Sequence, residues 1–256
     1  MITSSDGVQI GFELQGSGPL LVLTHGWVND RSVWDPLVKN LSEDHTVASW
    51  DLRGHGESDS PPPGSYSRQH ALSDLRAVLD ASGRPAVLVG HSLGGYLSLA
   101  HALDCPEDVS GLVLIAAGPG FRNAEAREEW NDAVRASAEK LDQSPGVEEI
   151  SMHVDSEVID HLTNISASTL VILGERDKRF AAAASLFSRD LNVHESVVVP
   201  DQGHMVHLKA ADQCADAIRS FVSIQAISTI LCPSLNDRPV VSVSKNISFI
   251  SFKYIQ

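Results

Sequence analysis

Between Val87 and Gly95 the chain reads VLVGHSLGG, an apolar run that breaks into a serine with a glycine two residues to either side. A strand can end on one glycine. Gly90 and Gly94 around Ser92, with Gly95 behind, imply a serine held where side chains at the flanking positions would clash. In a strand-to-helix elbow such a serine takes a strained backbone conformation, and its hydroxyl stands at the carboxyl end of the strand. The helix expected from Leu93 would turn its first amides toward that hydroxyl, where they can hold an anion. A glycine-rich turn with a helix-capping serine is the plainer reading, and the apolar strand before and helix behind weigh against it.

A serine hydroxyl needs a base to act as a nucleophile. In VPDQGHMVHL, His204 follows a strand and precedes the last helix on a glycine-bearing loop. His207, one helical turn on, is expected to face solvent or pack locally. In VILGERDKRF, Asp177 lies just past another strand and is the acid expected to orient the histidine, with Glu175 as runner-up. The chain order Ser92, Asp177, His204 is that of one fold among the serine hydrolases, distinct from the orders of the two best-known protease folds. All three follow strands, where open α/β sheets gather their ligands. The chemistry implied is acyl transfer to water: Ser92 attacks a carbonyl, His204 takes its proton and later activates water, and Asp177 steadies the imidazolium. No metal and no organic cofactor is called for.

The elements that must position these residues are legible in outline. Short apolar runs at 20–24, 46–50, 86–89, 109–116, 170–173 and 195–199 read as strands, most of them covered on both faces, and 8–14 alternates like a half-exposed strand. Helical spacing fills 33–41, 70–81, 93–103, 181–191 and 206–222. Strand and helix alternate, which predicts an α/β fold with a mostly parallel, doubly wound sheet and helices on both faces. Residues 123–141 are a charged helical stretch with no strand behind it. The expected organisation is therefore a core of 1–118 and 165–222, a short helical cap at 119–164, and an atypical tail at 223–256. Upstream of the tail the net charge is −16 and within it +2. A hairpin at 240–254 and an extension without a role are both open, the second being favoured.

With 256 residues the chain can bury roughly 70–75% of its unfolded surface without staples. A net charge of −14 repels phosphate backbones and anionic lipid, so nucleic acid and membranes are not expected partners. Three cysteines without C-x-x-C spacing support neither a disulfide framework nor a zinc site. The first basic side chain is Arg31 and no apolar run nears the ~20 residues of a membrane span, so a cytoplasmic location is expected.

With the motif, the triad order and two further stretches in view, residues 8–222 resemble the α/β-hydrolase family. The stretches are His25-Gly26-Trp27 after the strand at 20–24, and DLRGHGESD from Asp51 to Asp59. The resemblance implies an oxyanion hole formed by the backbone amides of Trp27 and Leu93. It also implies a mainly structural loop at Asp51, Arg53, His55 and Ser58. The family often has a proline shortly after the acid, where this chain reads Lys-Arg-Phe-Ala-Ala, and the cap-like segment is short, at about 45 residues.

Within the fold, Ser92 argues against epoxide hydrolases and dehalogenases, which resemble this chain but carry aspartate at the elbow. The tyrosines, Tyr66, Tyr96 and Tyr254, also lie outside the cap. The expected activity is hydrolysis of carboxylic esters, thioesters or lactones through an acyl-enzyme, on small to medium substrates. Val28, Phe121, Trp130 and Met205, with Trp27, are the expected pocket walls. A metal-free perhydrolase of haloperoxidase type, a carbon–carbon bond hydrolase and a non-turnover ligand receptor remain as alternatives. A small-molecule ester is the expected partner, and a homodimer is left open.

Overall fold

The computed structural model describes residues 1–231. A two-stranded pair, β1 (Ile2–Thr3) and β2 (Gln9–Ile10), precedes a seven-stranded sheet. The sheet contains β3 (Phe12–Gly16), β4 (Leu20–Thr24), β5 (Thr46–Trp50), β6 (Ala86–His91), β7 (Val109–Ile115), β8 (Thr169–Gly174) and β9 (Val193–Val199). Their spatial order is β3-β5-β4-β6-β7-β8-β9, with β3 antiparallel to β5 and every other pairing parallel. The helices are α1 (Asp35–Leu41), α2 (Arg68–Ser82), α3 (Leu93–Asp104), α4 (Ala124–Lys140), α5 (Glu157–Asp160), α6 (Ala181–Asp190), α7 (Val206–Lys209) and α8 (Ala211–Leu231).

Two cores lie on the two faces of this sheet. Leu88, Leu112 and Leu114 pack with Leu75 and Leu79 of α2, Leu97 and Leu99 of α3, and Phe187 of α6. Val87, Val89, Val113 and Ile115 pack on the other side with Leu37 and Leu41 of α1 and Ile218 and Phe221 of α8. Successive strand residues point to opposite faces, so a strand covered on both sides must be apolar throughout. This is why 86–89 reads as a continuous apolar run, and every residue of β6 is buried.

The expected strand at 8–14 is two strands, broken at Gly11. There the chain lies on the Asp51 loop: Gly11 N–H donates to Ser58 Oγ at 2.9 Å, and a Cβ would stand 2.5 Å from Asp51 Oδ2. The expected helix at 206–222 is also broken, at Ala210 (φ −131°, ψ 47°), and resumes as α8. Because α8 runs to Leu231, the change in composition at Ser223 falls inside a helix rather than at the end of one. The suggested hairpin at 240–254 lies outside the described residues. No helix among the described residues is long and apolar enough to cross a membrane.

Between β7 and β8 the alternation is interrupted by α4, α5 and two 3-10 turns, Val147–Ser151 and Leu162–Asn164. This segment is pinned to the core by Arg68 of α2, which bonds Asp155 (2.9 and 3.0 Å), Glu157 (2.6 Å) and the Tyr96 hydroxyl (2.8 Å). Within it, Trp130 Nε1–H donates to the Ser151 carbonyl (2.9 Å), and Asn131 exchanges two bonds with the His153 backbone.

Candidate active site

Ser92 sits between β6 and α3 with φ 52° and ψ −113°, a conformation that L residues rarely adopt. The glycines around it are steric necessities. A Cβ at Gly90 would strike the backbone of Gly94 and Gly95, and one at Gly94 would run into the Thr24 carbonyl. The elbow is fixed by Ser92 N–H donating to the Ile115 carbonyl at 3.0 Å. The Ser92 carbonyl in turn accepts from the amides of Gly95 (3.0 Å) and Tyr96 (3.2 Å).

The structure brings Asp177 and His204 together, with Nδ1 of His204 2.7 Å from Asp177 Oδ2. A carboxylate only accepts, so Nδ1 carries a proton and points it at Asp177, leaving Nε2 on the other side of the ring. Asp177 is buried, and its loop is tied by Asp177 N–H to the Gly174 carbonyl (2.9 Å) and Arg176 N–H to the Gln202 carbonyl (2.7 Å). Glu175, the runner-up, is occupied elsewhere: its Oε2 accepts from the Asp201 amide at 3.0 Å.

Behind His204 lies a column of rings. Phe180 stacks on His204 (centroids 5.2 Å, 17° between planes), His204 meets His91 at 4.7 Å, His91 meets His207 at 4.2 Å, and His207 meets Trp34 at 4.4 Å. His207 is thus fully buried rather than solvent-facing, because Trp34 closes over it from the turn before α1. Burial, and then the nearby His204, pushes the His207 imidazole down to about 3. His91 is driven well below its ordinary value by burial and the neighbouring imidazoles. Both are neutral at physiological pH.

The His25-Gly26-Trp27 stretch lies against the serine. A Cβ at Gly26 would stand 3.2 Å from Ser92 Cβ, and one at Gly94 would stand 2.8 Å from the His25 carbonyl oxygen. His25 braces the turn: Nδ1–H donates to the Gly26 carbonyl (2.8 Å) while Nε2 accepts from the Leu52 amide (3.0 Å). Burial, reinforced by His55, drops it to about 3, so it stays neutral. Neither the Trp27 nor the Leu93 amide donates a hydrogen bond among the described residues, which leaves both N–H groups beside Ser92 free for a ligand. The Asp51 loop is structural in its bonding. Asp51 accepts from the amides of Arg31 (2.7 Å) and Glu57 (3.0 Å), and buried Arg53 forms a two-pronged bond with buried Asp74 (2.7 Å each).

Two cavities open at Ser92. The larger, about 590 Å³, is walled by Leu93, Tyr96, Phe121, Ile159, Phe180 and Leu186, among others. The smaller, about 420 Å³, is walled by Trp27, Val28, Asn29, Ser137, His204 and Met205, among others. Ser92, Trp130, Ala133, Ser151 and Arg179 face both. Of the residues expected to wall the pocket, Phe121 lines the larger cavity, Trp27, Val28 and Met205 the smaller, and Trp130 both.

Tyr96, His153, Arg179 and Phe180 also line these cavities and are not among the expected pocket walls. Tyr96 lies one turn past Ser92, and Arg179 and Phe180 follow Asp177 by two and three residues, a proximity that could have flagged them. His153 carries no local signal; burial, then the charge of Arg68, lowers it to about 4. Away from the site, His101, Cys105 and Asp108 bring donor atoms within 4.8 Å of one another. Those donors are engaged: Arg84 holds Asp108 (2.8 and 3.0 Å), His101 shares it (3.2 Å), and Arg76 contacts the thiol.

The model of the alpha/beta hydrolase fold family matches residues 19–167. The chain belongs to that family. This α/β-hydrolase is 40% identical over 125 residues to a pimeloyl-[acyl-carrier protein] methyl ester esterase of Xylella fastidiosa, a match covering 49% of this chain and 46% of that protein. The chain thus spans about half the length of that relative. A 2-(acetamidomethylene)succinate hydrolase of Mesorhizobium japonicum is 28% identical, with 81% of this chain and 89% of that protein covered. Among solved structures, a hydrolase from Pseudomonas aeruginosa superposes with a TM-score of 0.73 at 25% identity, over 86% of this chain and 97% of that one.

Proposed function

We propose that this α/β-hydrolase is a serine esterase that cleaves carboxylic esters of small to medium size through an acyl-enzyme. The observation that carries the reading is the convergence at one cavity of a serine on a strained elbow and a histidine whose Nδ1 is held 2.7 Å from a buried aspartate. With Nδ1–H committed to Asp177, Nε2 is the atom free to take the Ser92 proton.

In the first half-reaction Ser92 Oγ bonds to the ester carbonyl carbon as its proton passes to His204 Nε2. The carbonyl oxygen becomes an oxyanion at the Trp27 and Leu93 amides, a pair of donors that is worth about 10²–10³ in rate per donor in comparable sites. Collapse breaks the carbon–alkoxy bond, and the same proton leaves with the alcohol. Water then repeats the sequence on the acyl-enzyme and releases the carboxylic acid. His204 lines the smaller cavity, so the departing alcohol belongs there and the acyl chain in the larger one.

The curated relatives support this class of reaction, one being named for a methyl ester and another for hydrolysis of a substituted succinate. The test is hydrolysis of p-nitrophenyl acetate, butyrate, octanoate and palmitate by the native chain and by Ser92→Ala. Turnover that falls by several orders of magnitude in the variant is expected, since removing such a serine costs on the order of 10⁶ in a comparable enzyme. Equal, feeble rates from both proteins would refute the reading.

A further inference from the structure

Twelve arginines lie among the described residues. Eleven of them donate hydrogen bonds, most to carboxylates and the others to a backbone carbonyl or to the Cys105 thiol. Arg179, among the described residues, makes neither a hydrogen bond nor an ion pair. This chain has 33 acidic and 19 basic residues, so a guanidinium left over is not short of partners. It is also the one arginine or lysine that lines either cavity at Ser92, and it lines both. Its root is fixed from both sides, by Asp177 on His204 and by Phe180 stacked on the same ring.

The rest of the larger cavity carries little charge. Its walls are mainly apolar, His153 is neutral near pH 7, and Glu129, on the exposed side of α4, is the single carboxylate. A planar guanidinium with five N–H donors matches one carboxylate in a two-pronged bond. A phosphate dianion would lack a second cation here and would face Glu129. We propose that Arg179 receives a carboxylate at the far end of the acyl chain, so that the preferred substrate is a monoester of a short dicarboxylic acid. The inference rests on Ser92 being the nucleophile of an esterase and adds the chemical class of its acid.

The experiment compares monomethyl adipate with methyl hexanoate, which share chain length and differ in the terminal carboxylate. Acid release is followed for the native chain, Arg179→Gln, Arg179→Lys and Arg179→Glu, and the quantity read is the ratio of kcat/KM for the two esters. The native ratio should favour the adipate ester. It should fall about tenfold in Arg179→Gln, chiefly through KM, and further in Arg179→Glu. Arg179→Lys, which keeps the charge and loses the fork, should retain part of it. In parallel, sodium adipate and sodium hexanoate are titrated against tryptophan fluorescence in the Ser92→Ala background, with and without Arg179→Gln. A protein inactive on both esters that nonetheless loses adipate binding in Arg179→Gln would overturn the esterase reading and uphold the anchor. An active protein with the same ester ratio and the same adipate affinity in every Arg179 variant would overturn the anchor alone.

Discussion

Nε2–H of His91 donates to the backbone carbonyl of His204 across 3.0 Å. His91 immediately precedes Ser92, so a single bond ties the elbow to the backbone of His204. It also fixes the tautomer of His91, leaving Nδ1 bare, buried and without a partner. Replacing His91 with Phe keeps a ring in the column and removes the tether. Loss of one neutral hydrogen bond of about 1 kcal/mol at this position should lower kcat/KM several-fold, and up to about tenfold. His91→Gln, which retains a donor, should recover part of it. Ester kinetics on the two variants decide the matter; native activity in His91→Phe beside a loss in His91→Gln would show that the ring alone matters.

Asp177→Asn should lower kcat by about 10³–10⁴ while leaving the fold intact, because an amide facing Nδ1 no longer selects the productive tautomer. Glu175→Gln, whose carboxylate serves the Asp201 amide instead, should stay within about threefold of native activity. Parallel kinetics on the pair distinguish the two acids, and the reverse ranking would move the catalytic role to Glu175.

Gly94→Ala drives a methyl group into the Thr24 carbonyl, a collision with backbone that no side-chain rotation relieves. Separation of β4 from α3 would follow, at a cost of about 1–3 kcal/mol or more. Urea unfolding should register this as a lower midpoint, with activity lost in proportion to the displaced serine. A variant of native stability and full activity would mean that the elbow is looser than its contacts imply.

The buried His207 gives a pH dependence of defined sign. Its folded-state value, about 3, lies below the ordinary value of 6.5, so the unfolded chain binds the extra proton first. Stability contributed by the neutral ring is complete above about pH 6.5 and is lost as pH falls toward 3, at up to about 1.4 kcal/mol per pH unit. His207→Phe keeps the packing between Trp34 and His91 and removes the titration, along with two buried ring nitrogens that lack partners. Its gain in unfolding free energy over the native chain should therefore grow from pH 8 to pH 5. Denaturant melts at a series of pH values measure it, and a gain independent of pH would contradict the assignment.

What the sequence made legible is what short stretches of chain decide for themselves. G-x-S-x-G with a strand before it and a helix after it needs no distant partner to be read, and the loops after β8 and β9 announce Asp177 and His204 by position. The residues missed depend on what arrives from elsewhere. His207 is buried because Trp34 covers it, and Gly11 interrupts a strand because the Asp51 carboxylate lies beneath it. The unpaired state of Arg179 is a property of all its neighbours together, invisible in Asp-Lys-Arg-Phe. The helix α8 passes through the change in composition at Ser223 because Phe221 and Val222 are still seated in the core when that change begins.

The two cavities meeting at Ser92 have a consequence for how this scaffold can diversify. Five residues are common to both, and the remaining walls are separate: Ile159 and Leu186 touch one chamber, Asn29 and Met205 the other. On the proposed reading, the acid half of an ester meets α6 and the 118–121 loop and the alcohol half the loops after β4 and β9, while α4 of the cap borders both chambers. Selection can retune either half of the molecule's diet while the other, and the nucleophile between them, stays as it was.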